Sequence, residues 1–529
     1  MVAASELTYN TNASATQMAE AIFGDGVTVV GASYSGSGYS SAIYSNGDSL
    51  APGATPADTG VILSTGAASS FTNSNGSSNQ SNSTSTNTGG QNGNAGFNTI
   101  AGASTYDASY LDVNFIPTGD TMTMQFVFSS EEYPEYSGSV YNDIVGVWID
   151  GQHVPLSVAS GSPTSVGAVN QTDNVNLYVD NTSDDYNTEM DGFTVTMTLT
   201  IPVTSGEVNS IRIGIADVSD SSYDSNLLIA GNSVQTTLIA EDDTISIYAN
   251  GTQNLDVLTN DQNATSGTLE ITHINGTAVV AGDSVTLATG QTITLNADGT
   301  FAIEADSDEE TVSFTYGIQS VDGAGNQIQN DTGFVTVETI PCFVAGTLIQ
   351  TQDGEKPVET LKPGDLIDTL DDGPQPLRWI GRRTVPAIGA LAPIRIARGT
   401  YGAHRTLLVS PQHRVLVRDI MTNLFFGEDE VLVKAIDLVN GTSIRQVEGG
   451  EVEYVHLLFD RHQVIWSDGL ATESFLPGPQ TTQLFEQDIV DEICALFPEL
   501  DRTSGAGYSP AARRTLRGYE AQVLREVAA

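Results

Sequence analysis

The residues best equipped for covalent chemistry are two cysteines, Cys342 and Cys494, and six histidines. A thiolate is a strong nucleophile, but an ordinary thiol is mostly protonated at neutral pH and needs local help. A cysteine thiolate that attacks a carbonyl of its own chain turns an amide into a thioester. Such an attack creates an oxyanion, which needs hydrogen-bond donors. It also leaves the displaced nitrogen in need of a proton, which an imidazole titrating near neutrality can supply. Cys494 shares a helix face with Ile493 and Phe497 and reads as core packing. Two cysteines allow at most one bridge, so no disulfide framework is expected.

The front of the chain offers a different chemistry. Glu131, Glu132, Asp143, Asp217, Asp220 and Asp224 fall on expected loops or strand ends. Such hard oxygens suit Ca²⁺, which takes about six to eight of them. No EF-hand spacing is present, and a solvated acidic surface is the competing reading. The histidines before position 341 are His153 and His273, and neither lies in a nucleophile–base–orienter pattern. A hydrolase is therefore not expected there.

Around Cys342 the pattern is specific. It comprises CFVAGTLIQTQDGEKPVETLKPGD (342–365), LVSPQHR (408–414) and VHLLFDRHQVIWSDGL (455–470), in that order. These three blocks resemble Hint modules, the hedgehog/intein family of self-processing domains, in the variant found at the C-terminal end of large bacterial secreted proteins. The resemblance implies an all-β, horseshoe-like fold and a single-turnover autoproteolysis rather than a multiple-turnover enzyme. It makes Cys342 the nucleophile and Pro341–Cys342 the scissile bond. It gives His413 the protonation of the Cys342 nitrogen through a hydrogen bond. Ser410, in the family's Thr position, orients the scissile amide, and His456 activates the thiol. His462 opens the last hairpin and is less suited to act, and His404, in GTYGAHR, is expected to face solvent. No cofactor is required.

Two departures shape the expected outcome. Splicing inteins end in His-Asn, whereas the equivalent stretch here is DGLATESF (468–475). Cleavage or transfer is therefore expected, with water, an amine or a surface nucleophile as acyl acceptor. No sterol-recognition region is identifiable. Pro341 stands where Gly is more usual, and its fixed φ bears on the rate rather than the site.

The elements that must position these groups differ on either side of Cys342. Residues 1–341 hold one cationic side chain, Arg212, against 39 carboxylates, and the remaining 18 cations follow. The net charge of −46 argues against nucleic acid and anionic membranes as partners. No apolar run reaches the length of a transmembrane helix. The start lacks the basic and apolar regions of a cleavable signal peptide. A secreted or cell-surface location, by a signal-peptide-independent, type I-like route and with an extracellular or surface ligand, is the expectation from architecture and resemblance.

A helix is predicted over 14–24, with Ser14 as cap, Gln17 at the capping-box position and Gly24 as terminator. Thereafter the chain reads as short β-branched or alternating strands punctuated by Gly, Asn, Asp and Ser. Residues 72–97, rich in Ser, Asn, Gly and Thr, read as a long disordered loop. Four segments follow: a β-sandwich-like domain over 1–238, a small β-sandwich over 239–340, the self-processing domain over 341–478 and a short helical tail over 479–529. The first resembles the choice-of-anchor L family of bacterial surface and secreted proteins, through SSEEYPEY (129–136), YNDIVGVWIDG (141–151) and ADVSDSSYDSNLLIAG (216–231). The second resembles a cadherin- or immunoglobulin-like bacterial repeat, through Glu241, Asp242 and Asp243, VLTND (257–261) and SVDGAG. Such repeats imply calcium, with Asp242, Asp243 and Asp261 as ligands beside Asp217, Asp220 and Asp224 in front. The overall expectation is a mainly β, multidomain protein that processes itself. A structural adhesin with an inactive scaffold is the alternative.

Overall fold

The computed structural model describes residues 2–137, 139–155, 168–247, 251–305, 312–339, 342–388, 392–476, 509, 511–516 and 521. Pro341, Cys494 and most of the expected helical tail lie outside the described residues. The protein is mainly β and multidomain, built from several separate sheets with few short helices. It divides into two compact units. One comprises Met1–Asp243, Asp256–Phe301 and Val312–Thr336. The other comprises Thr244–Leu255, Ala302–Thr311 and Val337–Ala529. Among the described residues, no helix is long and apolar enough to cross a membrane.

The first unit opens with a helix, Ala15–Ile22. Ser14 accepts from the Gln17 amide and Gln17 reaches back to the Ser14 amide, so the predicted capping box forms. The helix ends at Ile22. Gly24 then passes so close to Asn232 that a Cβ there would sit 2.2 Å from its carbonyl oxygen. Two antiparallel sheets follow. One contains Thr59–Ser64, Ser225–Ala230 and Thr121–Ser130 at its centre; the other is ordered Val27–Ser35, Thr105–Pro117, Asn209–Val218, Ile144–Ile149, Gln152–Val154. Alternate side chains of both meet in one core, with Leu63, Met124 and Phe126 from the first sheet and Leu111, Val113, Ile213 and Val147 from the second. The first sheet buries its other face as well, with Ala42, Tyr44, Val127, Phe193 and Leu228. This explains why Val61, Ile62 and Leu63, and likewise Leu227, Leu228 and Ile229, are consecutive apolar residues rather than alternating ones.

The polar stretch at 72–97 differs from its reading as a disordered loop. Gln80 donates its amide to Glu189 (2.8 Å), Asn79 its side chain to Asp191 (2.5 Å) and Thr86 its amide to Asp224 (2.6 Å). Thr88 and Gly90 both donate to Asp107, at 3.1 and 2.7 Å. Small polar residues expose many backbone N–H groups, and buried carboxylates need donors. Each satisfies the other.

In the second unit, the strands between Phe343 and Glu473 pair antiparallel among the described residues. One sheet is ordered Trp379–Pro386, Glu451–Leu458, Phe343–Val344, Leu407–Val409, Ile394–Ile396, Ile444–Gln446. A second runs Gly354–Pro357, Leu348–Thr351, Leu366–Thr369, Val464–Ser467, Leu470–Glu473, Arg414–Val417, Val431–Lys434. Phe343, Val409, Val455 and Ile394 of one sheet share a core with Ile349, Ile367, Val415 and Ile465 of the other. The last hairpin expected over 455–470, with its turn at His462, does not form as read: Glu451–Leu458 and Val464–Ser467 belong to different sheets, and the hairpin instead joins Val464–Ser467 to Leu470–Glu473, with Ser467 opposite Leu470. Its two loop residues, Asp468 and Gly469, both take positive φ (50° and 84°), the two-residue turn that matches strand twist. Beyond the domain, Leu516 is buried in this same core, and Thr515 bridges to Leu432.

Candidate functional site

Cys342 immediately precedes the short central strand Phe343–Val344, and that position decides its neighbours. On one side Phe343 pairs with Val455 and Val344 with Tyr454. Continuing the antiparallel register by one residue sets Cys342 opposite His456, and Sγ lies 3.4 Å from Nε2. On the other side Phe343 pairs with Val409, so Ser410 falls opposite Cys342. The Cys342 amide donates to Ser410 Oγ at 2.8 Å, and the Ser410 amide donates to the Cys342 carbonyl at 3.0 Å. Both histidines, Cys342 and Ser410 are buried, the thiol among Val385, Ala387, Val452 and Tyr454.

His413 arrives by a tight turn. Its amide donates to the Ser410 carbonyl (3.1 Å), and its ring packs edge-on against Phe343 with centroids 4.3 Å apart. Among the described residues, neither ring nitrogen of His413 has a hydrogen-bond partner. The expected hydrogen bond from the Cys342 nitrogen therefore goes to Ser410, not to His413. Burial pushes His413 down to about 4; Glu473 pulls the other way, and Arg414 and His462 add to the fall.

Reading by motif missed a charged group behind His413. Glu473 ends the last strand, fully buried. It accepts from the Arg414 amide (2.9 Å) and from the Arg414 guanidinium (3.1 Å), and stands 3.4 Å from His462 Nε2. Burial alone raises a carboxyl, but Arg414 and His462 outweigh it and hold Glu473 down at about 2. The available signal was a Glu and an Arg inside two otherwise apolar strands. His404, expected in solvent, is instead buried, with Nε2 accepting from the Tyr401 amide.

The acidic residues of the first unit gather differently from a cation cage. Asp143 accepts from the Val218 amide (3.0 Å) and the Ser225 hydroxyl (2.7 Å). Glu132 and Asp217 are buried near it, Glu131 and Asp224 are buried beside each other, and Asp220 is half-buried and accepts from the Ser222 amide. Burial, reinforced by neighbouring carboxylates, raises Glu131, Glu132 and Asp217 above the usual carboxylate range; burial raises Asp143 and Asp224 too, against opposing hydrogen bonds. Asp243 and Asp261 lie together, and Asp261 accepts from the Tyr316 hydroxyl (3.0 Å) and the Glu241 amide (2.9 Å). Asp242 accepts from the Phe334 amide (3.3 Å). Among the described residues, no three His, Cys, Asp or Glu side chains are arranged to hold a metal ion.

Two all-β sheets thus carry a buried cysteine with a hydroxyl on its amide and a histidine on its thiol. Residues 341–479 match the Hint domain model, and residues 6–235 match the Choice-of-anchor L domain model. The chain thus carries a C-terminal Hint domain and an N-terminal choice-of-anchor L domain. Among solved structures it is similar to the gp41-1 intein, at 12% identity over 25% of this chain and 97% of that chain, with a TM-score of 0.17. It is likewise similar to a glutathione-linked, splice-inactive variant of the AceL NrdHF class 3 split intein, at 12% identity over 25% of this chain and 97% of that chain, with a TM-score of 0.18. No curated protein matches the chain.

Proposed function

We propose that the Hint domain performs an N-to-S acyl shift at the Pro341–Cys342 bond and so detaches residues 1–341 of a secreted or surface protein. The observation that carries this reading is the setting of Cys342, with His456 Nε2 3.4 Å from its sulfur and Ser410 Oγ 2.8 Å from its nitrogen. In this mechanism His456 takes the thiol proton, and Sγ bonds to the carbonyl carbon of Pro341. The C–N bond breaks, and His413 hands a proton to the departing nitrogen. His456 is left with the thiol proton and His413 one proton short, and exchange with solvent returns each to its starting form. Water then releases the front region, or an amine or surface nucleophile captures it. The lack of a His-Asn pair in DGLATESF supports cleavage or transfer over splicing. The choice-of-anchor L domain supports the secreted or surface setting.

The test is the purified full chain incubated with and without dithiothreitol, read by denaturing gel and intact mass. A fragment ending at Pro341, formed faster with thiol and abolished by Cys342→Ala, is the expected result. A chain that stays intact under every condition overturns the reading and leaves a structural adhesin with an inactive Hint scaffold.

A further inference from the structure

Behind His413 lies a charged layer that the acyl shift as written does not use. The Glu473 carboxylate sits across the strand pair from Arg414, since Val415 pairs with Thr472, and Arg414 is the neighbour of His413 in the chain. His462 completes the layer. Its Nδ1 accepts from the Ala512 amide (2.9 Å), so its ring proton sits on Nε2, facing the Ser474 carbonyl (3.1 Å) and Glu473 (3.4 Å). The Ser509 hydroxyl accepts from the His462 amide at 2.8 Å. Residues 511–516 are anchored in turn by Arg513, which pairs with Asp371 and Glu430, and by the Leu516 amide on Leu432. Chain beyond the Hint match thus supports this layer.

A buried ion pair contributes little net stability compared with apolar residues of the same volume. A job other than stability is the simpler account of a fully buried Glu473. His413 supplies that job. Neither of its ring nitrogens has a hydrogen-bond partner among the described residues, so no direct contact favours an imidazolium there. To hand a proton to the Cys342 nitrogen, His413 must pass through that charged form in an apolar site. The Glu473 carboxylate accepts from the amide of Arg414, the residue that follows His413, at 2.9 Å, and its negative charge favours the imidazolium, which Arg414 opposes.

We propose that Glu473 is a positioning residue for the acyl shift, its buried carboxylate stabilising the protonated form of His413 as the proton passes to Cys342. This inference rests on the acyl-shift reading. The experiment therefore has two arms. In the full chain carrying Cys342→Ala, the His413 imidazole is titrated by NMR with and without Glu473→Gln. The titration midpoint is expected to fall by about one pH unit or more on loss of the carboxylate. In the cleavable chain, Glu473→Gln is expected to slow thiol-induced cleavage about tenfold and displace the acid limb of its pH profile, with Glu473→Asp recovering most of the rate. Where Glu473→Gln alone does not fold, the pair Arg414→Gln and Glu473→Gln removes the stranded cation, and a smaller fall in midpoint is expected. An unmoved or raised midpoint, or a slowed reaction with an unchanged pH profile, overturns the proposal. A wild-type chain that never cleaves refutes the acyl shift instead, while the first arm still reads the coupling of Glu473 to His413.

Discussion

Cys342 and His456 are cross-strand neighbours, their sulfur and nitrogen 3.4 Å apart at the point where the central strand of the Hint sheet begins. The register that makes them neighbours also sets Ser410 against the other edge of Cys342. One two-residue strand, Phe343–Val344, therefore aligns Cys342 with two polar partners at once. His456 is held from its far side too, because Gly381 pairs with it on the next strand. The site is built from backbone hydrogen bonding rather than from a mobile loop, which favours fixed geometry.

A first prediction concerns His456. With its imidazole replaced in His456→Ala, the thiol loses its proton acceptor, and thiol-induced cleavage should slow by about a hundredfold, the usual worth of a positioned base. Rates from quenched gel time courses check this. Cleavage at the wild-type rate would remove His456 from the mechanism.

Ser410 carries a second. In Ser410→Ala the buried Cys342 amide loses its side-chain acceptor, and an unsatisfied buried donor costs about 1–3 kcal/mol. Both the melting temperature and the cleavage rate should fall. Ser410→Thr keeps the hydroxyl and should keep both near wild type. A Thr variant as impaired as the Ala variant would mean that volume, not the hydrogen bond, matters at this position.

What could be read in advance followed the physics of each signal. The meeting of Cys342 with Ser410 and His456 was legible because ordered blocks carry these residues. Glu473 was not, because a lone carboxylate in a strand looks the same in sequence whether it faces water or a buried arginine. His404 was misplaced for the converse reason: polar neighbours in the chain say nothing about what packs over a histidine. The stretch 72–97 was read as disordered from composition, yet its partners Glu189, Asp191 and Asp224 lie far away in sequence. Composition cannot count donors against distant acceptors.

That strap gives a third prediction. Asp107, itself at positive φ (42°), holds the Thr88 and Gly90 amides. Asp107→Ala should free the strap locally while leaving the sandwich core in place. Brief digestion with a broad-specificity protease, followed by mass measurement, should show new cuts near Thr88–Gly90 in the variant. Equal resistance in both chains would show that Asp107 is dispensable for holding the strap.

The last prediction is that acidification moves the two units in opposite directions. Burial first, with neighbouring carboxylates adding to it, raises Glu131 to about 9, and burial against opposing hydrogen bonds raises Asp331 to about 8. Unfolded, both titrate near an ordinary carboxylate value of about 4. The folded first unit therefore binds more protons over that range, so its stability is fully present at low pH and is lost as pH rises through the folded values. His413 has the reverse sign. Burial lowers it to about 4 in the fold, against about 6.5 unfolded, so the unfolded chain binds the extra proton. Its contribution is present above about pH 6.5 and is lost as pH falls toward 4. Glu473, held at about 2 by Arg414 and His462 despite its burial, contributes above about pH 4 and loses this only in stronger acid. Between pH 7 and 5, about the window these values define, strand Thr105–Pro117 should gain protection and strand Arg414–Val417 should lose it. Hydrogen exchange by mass spectrometry, corrected for the intrinsic pH dependence of amide exchange, reads both strands in one sample. Parallel changes in the two would contradict the assigned protonation of the acidic core or of His413, and Glu131→Gln or His413→Gln would identify which, since each variant should flatten the trend of its own unit alone.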